Sequence, residues 1–391
     1  MDAAEVAALG SPIGRAALAA VGRYDPATAL ATASRLRASG YPADLVAAAL
    51  TQARLRLRAQ EKFGAAADRM LFTPDGLEQA TRARVAVLRA TRIARFVGAG
   101  RVVDLCCGIG GDLLALAGAG VAVEGVDIEP ATAAVAASNV ASLGLAAPVT
   151  CGDATAVDLA PFDAVVLDPS RRAGGRRVFD PDAYRPPWPF VEAVLRRDSC
   201  VKVAPGIPHA RIPAGVEAEW VSDAGAVKEA ALWSGALTTV PRRATLLPAG
   251  ATLVGSDAGA PPVRAPQRWL YEPDGAVIRA HLVAEVAALI DGALLDRRIA
   301  YLTSPARFDT PFARAYEVTD VLPFSLRRLR TLLRSRDVGV VTIKKRGSAV
   351  EPETLRRQLR LSGSEHAVVV VTRIGDAPTV LLCRPPAQRS V

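Results

Sequence analysis

The sequence predicts an α/β fold in which a mostly parallel sheet follows a helical segment and precedes a mixed α/β region. The main observation is a series of short apolar runs from Arg101 onward, separated by helical stretches: RVVDL, VAVEGVD, PVTCGDA, FDAVVLD and CVKVAP. Apolar strands that alternate with helices are typical of βαβ units, which build a parallel sheet covered on both faces. The length of 391 residues also allows two or three domains.

Three domains are predicted from changes in pattern along the chain. Residues 1–95 contain long helix-forming stretches with few β-branched residues, such as DLVAAALTQARLRLRAQEKFG. Residues 96–240 carry the strand–helix alternation and are expected to form a seven-stranded sheet. Its last two strands, VEAEWVS and VKEAALWSG, lie close enough in sequence to form a hairpin. A Pro/Gly-rich stretch then leads into residues 241–391, where helices such as FSLRRLRTLLRS mix with strands such as VGVVTIKKRG.

Composition excludes several classes of protein. Hydrophobic residues make up 50% and charged residues 22% of the chain, which excludes a disordered polyelectrolyte. Five cysteines without zinc-ligand spacing and three scattered histidines predict neither a disulfide framework nor a metal site. The first residues include Asp2 and Glu5, at positions where a signal peptide would be basic. The longest uncharged run contains Pro130 and Pro148, so it would span a membrane poorly. We therefore expect a cytoplasmic protein without a membrane segment, in an oligomeric state that the sequence does not define.

Charge is distributed unevenly along the chain. The net charge is +9, but residues 96–240 hold 11 basic and 17 acidic residues, whereas residues 1–95 hold 14 and 8. Residues 321–391 hold 14 basic and 5 acidic residues. One interpretation is that these charges lie on ordinary solvated helix faces. The alternative is that the basic ends bind a polyanion while the acidic middle performs chemistry.

The strongest motif is the segment VVDLCCGIGGD at the end of the first predicted strand. Its glycines allow a ligand to approach the backbone closely, and the helix that follows offers free N–H groups at its N-terminus. Nineteen residues after Gly108, Asp127 ends the second strand, where a carboxylate can accept both hydroxyls of a ribose. The third strand ends at the position that flanks an adenine ring. The candidate cofactor-binding residues are Asp104, Cys106, Gly108, Gly110, Asp127, Ile128, Asp153 and Ala154.

Two cofactors use this arrangement, nicotinamide dinucleotides and S-adenosylmethionine (SAM). A dinucleotide fingerprint needs a third glycine at the position of Leu113, so that the helix packs close behind the pyrophosphate. SAM carries an ammonium and a sulfonium but no phosphate, and an acid at Asp104 suits the ammonium and would repel a pyrophosphate. The ordered acids and glycines therefore predict SAM. A dinucleotide and a fold that no longer binds a cofactor are the alternatives.

These motifs resemble those of class I SAM-dependent methyltransferases over about residues 100–235. The segment DLCCGIGGD is similar to the DxFCGxGG sequence of RNA guanine-N2 methyltransferases of the trimethylguanosine synthase type. The resemblance implies a Rossmann-like sheet, SAM as the cofactor and an RNA base as the methyl acceptor.

The predicted reaction site follows the fourth strand, FDAVVLD, in the run Asp168-Pro169-Ser170. In class I enzymes this loop faces the methyl group, and an in-line displacement depends mainly on positioning. The Asp168 carboxylate and the Pro169 carbonyl can hold an exocyclic amine. The sequence [DNS]-P-P-[YFW] does so in amino-directed nucleic-acid methyltransferases. Two departures leave the acceptor atom open, because Ser170 replaces the second proline and Arg171 replaces the aromatic residue.

The loop after the fourth strand has a second resemblance, and residues near it have more than one possible role. It also resembles the DPPRxG loop of uridine-C5 methyltransferases, but those enzymes need a nucleophilic cysteine where this chain has Val203. Cys200 lies further back in the strand and is interpreted as a core residue, so covalent C5 chemistry is rejected. Lys202 is interpreted equally well as a structural side chain or as a charge in the site. The candidates to replace the missing aromatic side chain are Phe179, Tyr184 and Trp188.

Two basic clusters predict contacts with RNA phosphates. The first is a glycine-containing loop in an otherwise acidic region, with Arg171, Arg172, Arg176 and Arg177. The second lies where the strand VGVVTI gives way to a turn and consists of Lys344, Lys345 and Arg346. A solvated surface is the alternative in each case.

Two flanking segments resemble parts of a bacterial group of methyltransferases. The end of the stretch KFGAAADRMLFTPDGLEQATRARVAVLRATRIA is similar to a segment that packs over the cofactor mouth in that group. The resemblance makes Gln79 and Arg82 lid candidates, and a plain packing helix is the alternative. The region around IKKRG resembles a THUMP-like domain, and related THUMP domains bind structured RNA. We therefore predict a SAM-dependent methyltransferase acting on an RNA base amine, with tRNA or rRNA as partner. The alternatives are a small-molecule or protein methyltransferase, and an RNA-binding protein with a vestigial SAM fold.

Overall fold

The structure is a computed structural model that describes residues 1–170, 172–173, 176–177, 180–256 and 258–384, with only the backbone given for the two short pairs. The chain divides into two compact units. The first consists of Met1–Glu219 and Glu229–Pro241, and the second of Trp220–Lys228 and Arg242–Val391. The predicted division into three domains, 1–95, 96–240 and 241–391, stays a prediction.

Helices precede the sheet of the first unit, in the region where the sequence predicts them. They are α1 (Ala3–Gly10), α2 (Pro12–Val21), α3 (Ala29–Ala38), α4 (Ala43–Phe63), α5 (Pro74–Gln79) and α6 (Ala83–Val97). Asp2 and Glu5 form a capping box at the start of α1, and Thr73 caps α5 through a 2.9 Å hydrogen bond from the Gly76 N–H. Gln52 of α4 exchanges two hydrogen bonds with the backbone of Phe72, which fixes the segment that leads to α5.

A mainly parallel sheet lies at the centre of the first unit. The elements from residue 101 to 234 are β1 (Arg101–Leu105), α7 (Gly111–Gly118), β2 (Ala122–Asp127), α8 (Pro130–Ser142), β3 (Val149–Cys151), β4 (Ala164–Leu167), β5 (Arg172–Ala173), β6 (Arg176–Arg177), α9 (Trp188–Val194), β7 (Ser199–Val203), β8 (Glu217–Asp223) and β9 (Ala226–Ser234). β1 pairs in parallel with β2 and β4, β2 with β3, and β4 with β7. β9 pairs antiparallel with β7. The carboxyl ends of β1 to β4 therefore meet at one edge, where open α/β sheets bind ligands.

β8 and β9 form the hairpin that the sequence predicts. The two residues between them, Ala224 and Gly225, have positive φ angles of 52° and 79°. Positive φ at both central residues is the property of a type I′ turn, whose twist matches that of the two strands. With the parallel core strands, this confirms the predicted Rossmann-like α/β sheet.

The second unit contains an antiparallel pair, β10 and β11, and a seven-stranded mixed sheet with the strand order β13-β14-β12-β15-β18-β17-β16. Its elements are β10 (Arg242–Leu247), β11 (Ala251–Val254), β12 (Trp269–Pro273), α10 (Gly275–Arg279), α11 (Val283–Leu289), β13 (Ala293–Asp296), β14 (Ile299–Ser304), β15 (Ala313–Pro323), α12 (Leu326–Ser335), β16 (Val338–Lys345), α13 (Pro352–Leu359), β17 (Glu365–Ile374) and β18 (Ala377–Cys383). β16 and β17 pair in parallel. Leucines of α12 and α13 are buried against β16 to β18: Leu329, Leu333, Leu355 and Leu359.

Within the described residues, no single helix combines the length and the apolar composition needed to cross a membrane. Helices α1 and α2 reach that composition only when taken together, and they meet at an angle of 79°. The predicted cytoplasmic location stays a prediction.

Candidate active site

The glycine loop between β1 and α7 has an uncommon backbone. Cys106, Gly108 and Gly110 have positive φ angles of 59°, 59° and 95°, a region that glycine adopts readily and cysteine rarely. The Cys107 N–H donates to the Val126 carbonyl at 3.0 Å, which anchors the loop to β2. A Cβ added at Gly108 would meet no atom within 4 Å, so this side of the loop is open to a ligand.

Asp127, at the end of β2, is directed toward this loop. Its Oδ2 accepts a hydrogen bond from the Gly108 N–H at 2.9 Å, and its Oδ1 accepts one from the Glu129 N–H at 3.0 Å. Burial raises the pKa of the Asp127 carboxyl. A carboxylate oxygen has room for more than one hydrogen bond, so each oxygen of Asp127 is able to accept a further hydrogen bond from a ribose hydroxyl.

The ends of β2 and β3 also lie together. The Gly152 N–H donates to the Asp127 carbonyl at 2.9 Å. Asp153 accepts from the N–H and the hydroxyl of Thr155, at 2.8 and 2.9 Å, and these hydrogen bonds lower the pKa of its carboxyl. Ala154 is buried, whereas the apolar side chain of Ile128 is 62% exposed. The candidate cofactor residues thus share one edge of the sheet, and their individual roles stay predictions.

Asp104 carries an unusual buried carboxyl. The residue is 1% exposed, and its Oδ2 has no hydrogen-bond partner among the described residues. Burial raises the pKa of Asp104 well above its ordinary value, and the nearby charge of Asp112 raises it further. A buried acceptor without a donor, beside an open glycine loop, fits a ligand that brings an ammonium group, as SAM does.

The candidate acceptor loop starts at the end of β4. The Asp168 N–H donates to the Leu105 carbonyl at 3.1 Å, which ties this loop to the strand that leads into the glycine loop. Ser170 and Arg185 exchange backbone hydrogen bonds of 2.7 and 3.0 Å, so these two residues lie side by side. Pro169 is buried and Ser170 is exposed.

The structure describes only part of the basic loop. β5 and β6 pair antiparallel. The described residues include neither Arg171 and Phe179 nor the side chains of Arg172, Arg176 and Arg177. Their contacts with phosphate stay predictions.

Two of the aromatic candidates serve packing. Tyr184 and Trp188 are 2% and 4% exposed, and their rings meet edge to face at 6.0 Å. The Tyr184 hydroxyl also accepts a 3.1 Å hydrogen bond from the Ala204 N–H. Buried and packed on each other, these rings present no free face on which a base could stack.

A cluster of buried charges lies behind Asp168, and most of its members were missed in the sequence. The Nζ of Lys202 contacts Asp168 Oδ2 and the Thr81 hydroxyl, and it lies 3.1 Å from Asp112 Oδ2. Arg89 forms ion pairs with Asp112 and with a further buried acid, Glu229. Of these residues, Asp168 and Lys202 are recognisable as candidates in the sequence. Asp112 stood in the glycine motif without a role, and Thr81, Arg89 and Glu229 gave no local signal.

Other nucleophiles and metal ligands are disfavoured around this site. Cys200 is completely buried, and burial raises the pKa of its thiol to about 12, which agrees with its interpretation as a core residue. Burial also raises the pKa of Cys106. In the part of the chain that the structure describes, no three His, Cys, Asp or Glu side chains are grouped as metal ligands.

The lid candidates differ in their surroundings. Gln79 is exposed at the end of α5, and Arg82 forms a 2.7 Å ion pair with Glu61. The segment before α5 contacts the glycine loop through Asn139, which is fully buried and donates to the carbonyls of Leu71 and Ile109. This segment therefore supports the loop from behind, and a lid function for Gln79 and Arg82 stays a prediction.

The second basic cluster is engaged within its own unit. Lys344 forms a 2.6 Å ion pair with Glu272, and Lys345 pairs with Glu351. The Arg346 guanidinium lies 5.3 Å from the centre of the Tyr301 ring. The three side chains thus do not form a group of free charges, and their contact with RNA stays a prediction.

Comparisons with known proteins cover most of the chain. Residues 2–59 match a domain of unknown function, residues 102–170 match a methyltransferase domain family, and residues 313–385 match a THUMP domain-like family. Proteins of two Mycobacterium tuberculosis strains, CDC 1551 and H37Rv, are named as SAM-dependent methyltransferases. Each is 40% identical over 350 residues, which cover 85% of this chain and 95% of the relative.

A solved structure shows the same fold over nearly the whole length. The crystal structure of a Porphyromonas gingivalis W83 protein, named as a methyltransferase, covers 99% of this chain and 100% of its own. The TM-score is 0.76 at 22% sequence identity. The two relatives and the matched families, together with the glycine loop, show that the chain belongs to the class I SAM-dependent methyltransferases. It has a THUMP-like C-terminal domain, and SAM is its cofactor.

Proposed function

We propose that this enzyme methylates a base in RNA, with an exocyclic amine as the favoured acceptor. The observation that carries the proposal is the ion-paired carboxylate of Asp168 at the end of β4, on the strand beside the glycine loop. A carboxylate accepts hydrogen bonds and cannot donate them. It therefore favours an acceptor that carries N–H groups, as an amine does and an aromatic ring carbon does not.

The strand ends are proposed to hold the cofactor as follows. Asp104 receives the ammonium, Asp127 accepts from the ribose hydroxyls, and Ile128 and Ala154 bound the adenine. The backbone at Gly108 leaves room for close approach. When bound, SAM supplies an electrophilic methyl group on its sulfonium. Asp153 keeps its ionised carboxylate in place through its hydrogen bonds to Thr155.

The acceptor is proposed to be positioned by Asp168 and Pro169. Lys202 occupies one oxygen of Asp168, and no donor among the described residues contacts the other, Oδ1. Oδ1 accepts one N–H of the amine and the Pro169 carbonyl accepts the second, which turns the nitrogen lone pair toward the methyl group. Ser170 is exposed next to them and contacts the nucleotide that carries the amine. Guanine N2 is the finer hypothesis, and it rests on the DLCCGIGGD sequence alone.

RNA as the substrate class is supported by the THUMP-like match and by a basic surface in the same unit. On α12, Arg327 and Arg328 are exposed, and neither forms an ion pair with the described residues. Arg357 on α13 and Arg360, which directly follows this helix, are also exposed. We call these four residues the arginine face. Phosphate contacts by such side chains provide sequence-independent affinity and fix the position of the RNA.

Transfer of labelled methyl groups tests the proposal. The purified protein is incubated with methyl-labelled SAM and total RNA from a strain that lacks the gene, and the RNA is digested to nucleosides for mass spectrometry. We expect one labelled nucleoside with the methyl group on an exocyclic amine. RNA from the parent strain, already methylated, is the matched control and should accept little label. The protein and small-molecule fractions of the same strain are incubated in parallel, and label that appears only in one of them would establish the alternative methyltransferase functions.

A further inference from the structure

Behind the acceptor loop, two cations and three carboxylates form a buried cluster within the first unit. Lys202 contacts Asp112 and Asp168, and Arg89 contacts Asp112 and Glu229. The side chains of Lys202, Arg89, Asp112 and Glu229 are 3% to 6% exposed, whereas that of Asp168 is 27% exposed. Asp168 is therefore the member through which the cluster reaches the acceptor loop.

Stability alone does not account for such a cluster. Removing several ions from water costs as much as their mutual attraction returns, and well-packed apolar side chains of equal volume are often as stable. What the cluster does provide is fixed orientation. Lys202 has three N–H donors, and its three close partners are the Thr81 hydroxyl, Asp112 and Asp168. Its ammonium therefore has no free direction in which to rotate.

Lys202 also keeps its charge. Burial by itself lowers the pKa of Lys202, but the attraction of Asp112 and Asp168 outweighs it, and the pKa is raised. An ammonium that holds its proton so strongly cannot act as a base for the acceptor amine. The effect of Lys202 on the reaction must therefore come from the position in which it holds the Asp168 carboxylate.

We infer that Lys202 is a positioning residue for methyl transfer, which holds the Asp168 carboxylate so that Oδ1 is presented to the acceptor. This inference rests on the proposed role of Asp168. Thr81 and Arg89 extend the support into the helical region that precedes the sheet, because Thr81 comes just before α6 and Arg89 lies within it. Thr81 and Arg89 thus contribute to the support of the acceptor site, and the sheet alone does not orient it.

A double-mutant cycle tests the inference, since it separates an effect through Asp168 from a general loss of structure. Four proteins are compared: wild type, Lys202→Met, Asp168→Asn and the double variant. The double variant keeps the net charge of the cluster, because it loses one cation and one anion.

We expect Lys202→Met to lower kcat by about 30-fold or more in the wild-type background, a loss of the size that misplacement of a reacting group causes. In the Asp168→Asn background it should lower kcat by less than about 3-fold, because the carboxylate through which Lys202 acts is already gone. Equal losses in both backgrounds would overturn the inference.

Two further variants guard against a simple folding defect. Arg92→Met removes another largely buried ion pair of the first unit, with Glu217, and should lower the melting temperature without changing kcat per folded protein. Thr81→Val keeps the shape but removes one partner of Lys202, and it should reduce kcat several-fold with unchanged SAM affinity. A wild-type kcat in Thr81→Val together with equal effects in the cycle would make Lys202 a purely structural residue.

The acceptor used in the cycle keeps this test distinct from that of the proposed function. If the wild type methylates RNA, the cycle is measured on that RNA. If it labels only the protein or small-molecule fraction, the RNA proposal has failed, and the cycle is measured on that fraction instead. The coupling between Lys202 and Asp168 is expected with either acceptor.

Discussion

The Gly108 N–H donates a 2.9 Å hydrogen bond to Oδ2 of Asp127, and this contact joins the glycine loop after β1 to the end of β2. The second oxygen of Asp127 is held by the Glu129 N–H at 3.0 Å. The carboxylate is therefore oriented in the structure without a ligand. Preorganisation of this kind reduces the ordering cost that binding would otherwise carry.

Asp127→Ala should lower SAM affinity at least tenfold. The substitution removes the acceptor proposed for the ribose hydroxyls and releases the Gly108 N–H. Hydrogen bonds to a charged group contribute about 1.5–3 kcal/mol each, which corresponds to at least a tenfold change in Kd. Titration calorimetry with SAM measures the effect.

Glu124→Ala is the matched control for that prediction. Glu124 is an acid on the same strand, but it is half-exposed and pairs with Arg101 at 2.5 Å, at the amino end of β1. Its removal should leave the Kd of SAM unchanged. An Asp127→Ala protein that folds and binds SAM with wild-type affinity would contradict the ribose assignment.

SAM binding should release a proton and strengthen as the pH rises. Burial raises the pKa of Asp104 well above its ordinary value, whereas a bound ammonium favours the carboxylate, so binding should release a proton at any pH where the free carboxyl is still protonated. Because the unfolded chain loses this proton at a lower pH than the folded one, the free protein loses stability as the pH rises between these two values. Calorimetry over a pH series, in buffers of different ionisation enthalpy, counts the protons released.

Asp104→Asn provides the control for proton release. The amide has nearly the same shape but does not titrate, so its binding enthalpy should not depend on the buffer. The variant should also bind SAM more weakly, because an amide attracts an ammonium less than a carboxylate does. Identical buffer dependence in wild type and variant would assign the proton to a different group.

Asp168→Ala should abolish methyl transfer and spare cofactor binding. The residue is proposed to contact the acceptor only, and Lys202 keeps its ion pair with Asp112 when Asp168 is removed. We expect kcat to fall by about 100-fold or more, as the loss of a positioned group in the transition state does, while the Kd of SAM changes less than threefold. Asp158→Ala, which removes an exposed acid ahead of β4, should retain full activity. Turnover of Asp168→Ala within a few-fold of wild type would show that this loop is misassigned.

The sequence predicts well that the candidate cofactor residues lie together at one edge of the sheet. Its residues follow the ends of successive strands, and the parallel pairing of β1 with β2 and β4 brings those ends together by geometry alone. A local pattern of apolar runs, glycines and acids therefore contains the information. The Ala224-Gly225 hairpin is predictable for the same reason, because two strands so close in sequence have few other ways to pair.

The buried charge cluster shows what local patterns do not contain. Lys202 lies 90 residues from Asp112 along the chain, and Arg89 lies 140 residues from Glu229. Arg89 is one of many arginines in a basic helical region, and only the packing of α6 against α7 and β9 distinguishes it. In the same way, Lys344 looks like a free charge in the sequence until the fold places Glu272 beside it.

Free cations and ion-paired cations should contribute differently to the salt dependence of RNA affinity. Arg327→Ala/Arg328→Ala removes two exposed arginines that have no ion-pair partner among the described residues. If both contact phosphate, the slope of log affinity against log salt concentration should fall by about 0.7 for each contact on single-stranded RNA. Binding of unlabelled RNA transcripts, measured from low to physiological salt, provides the slope.

Two variants decide how that slope is interpreted. Lys344→Ala/Lys345→Ala/Arg346→Ala should reduce the slope by less per residue than the α12 pair does, because Glu272 and Glu351 compete with phosphate for the two lysines. Arg54→Ala/Arg58→Ala removes two exposed arginines one turn apart on α4 and should leave the slope unchanged. SAM affinity should be the same in all variants, because none of these residues lies at the strand ends proposed to hold the cofactor. A wild-type slope in the α12 variant would mean that the arginine face is only a solvated surface, and RNA binding by the THUMP-like domain would then lose its structural support.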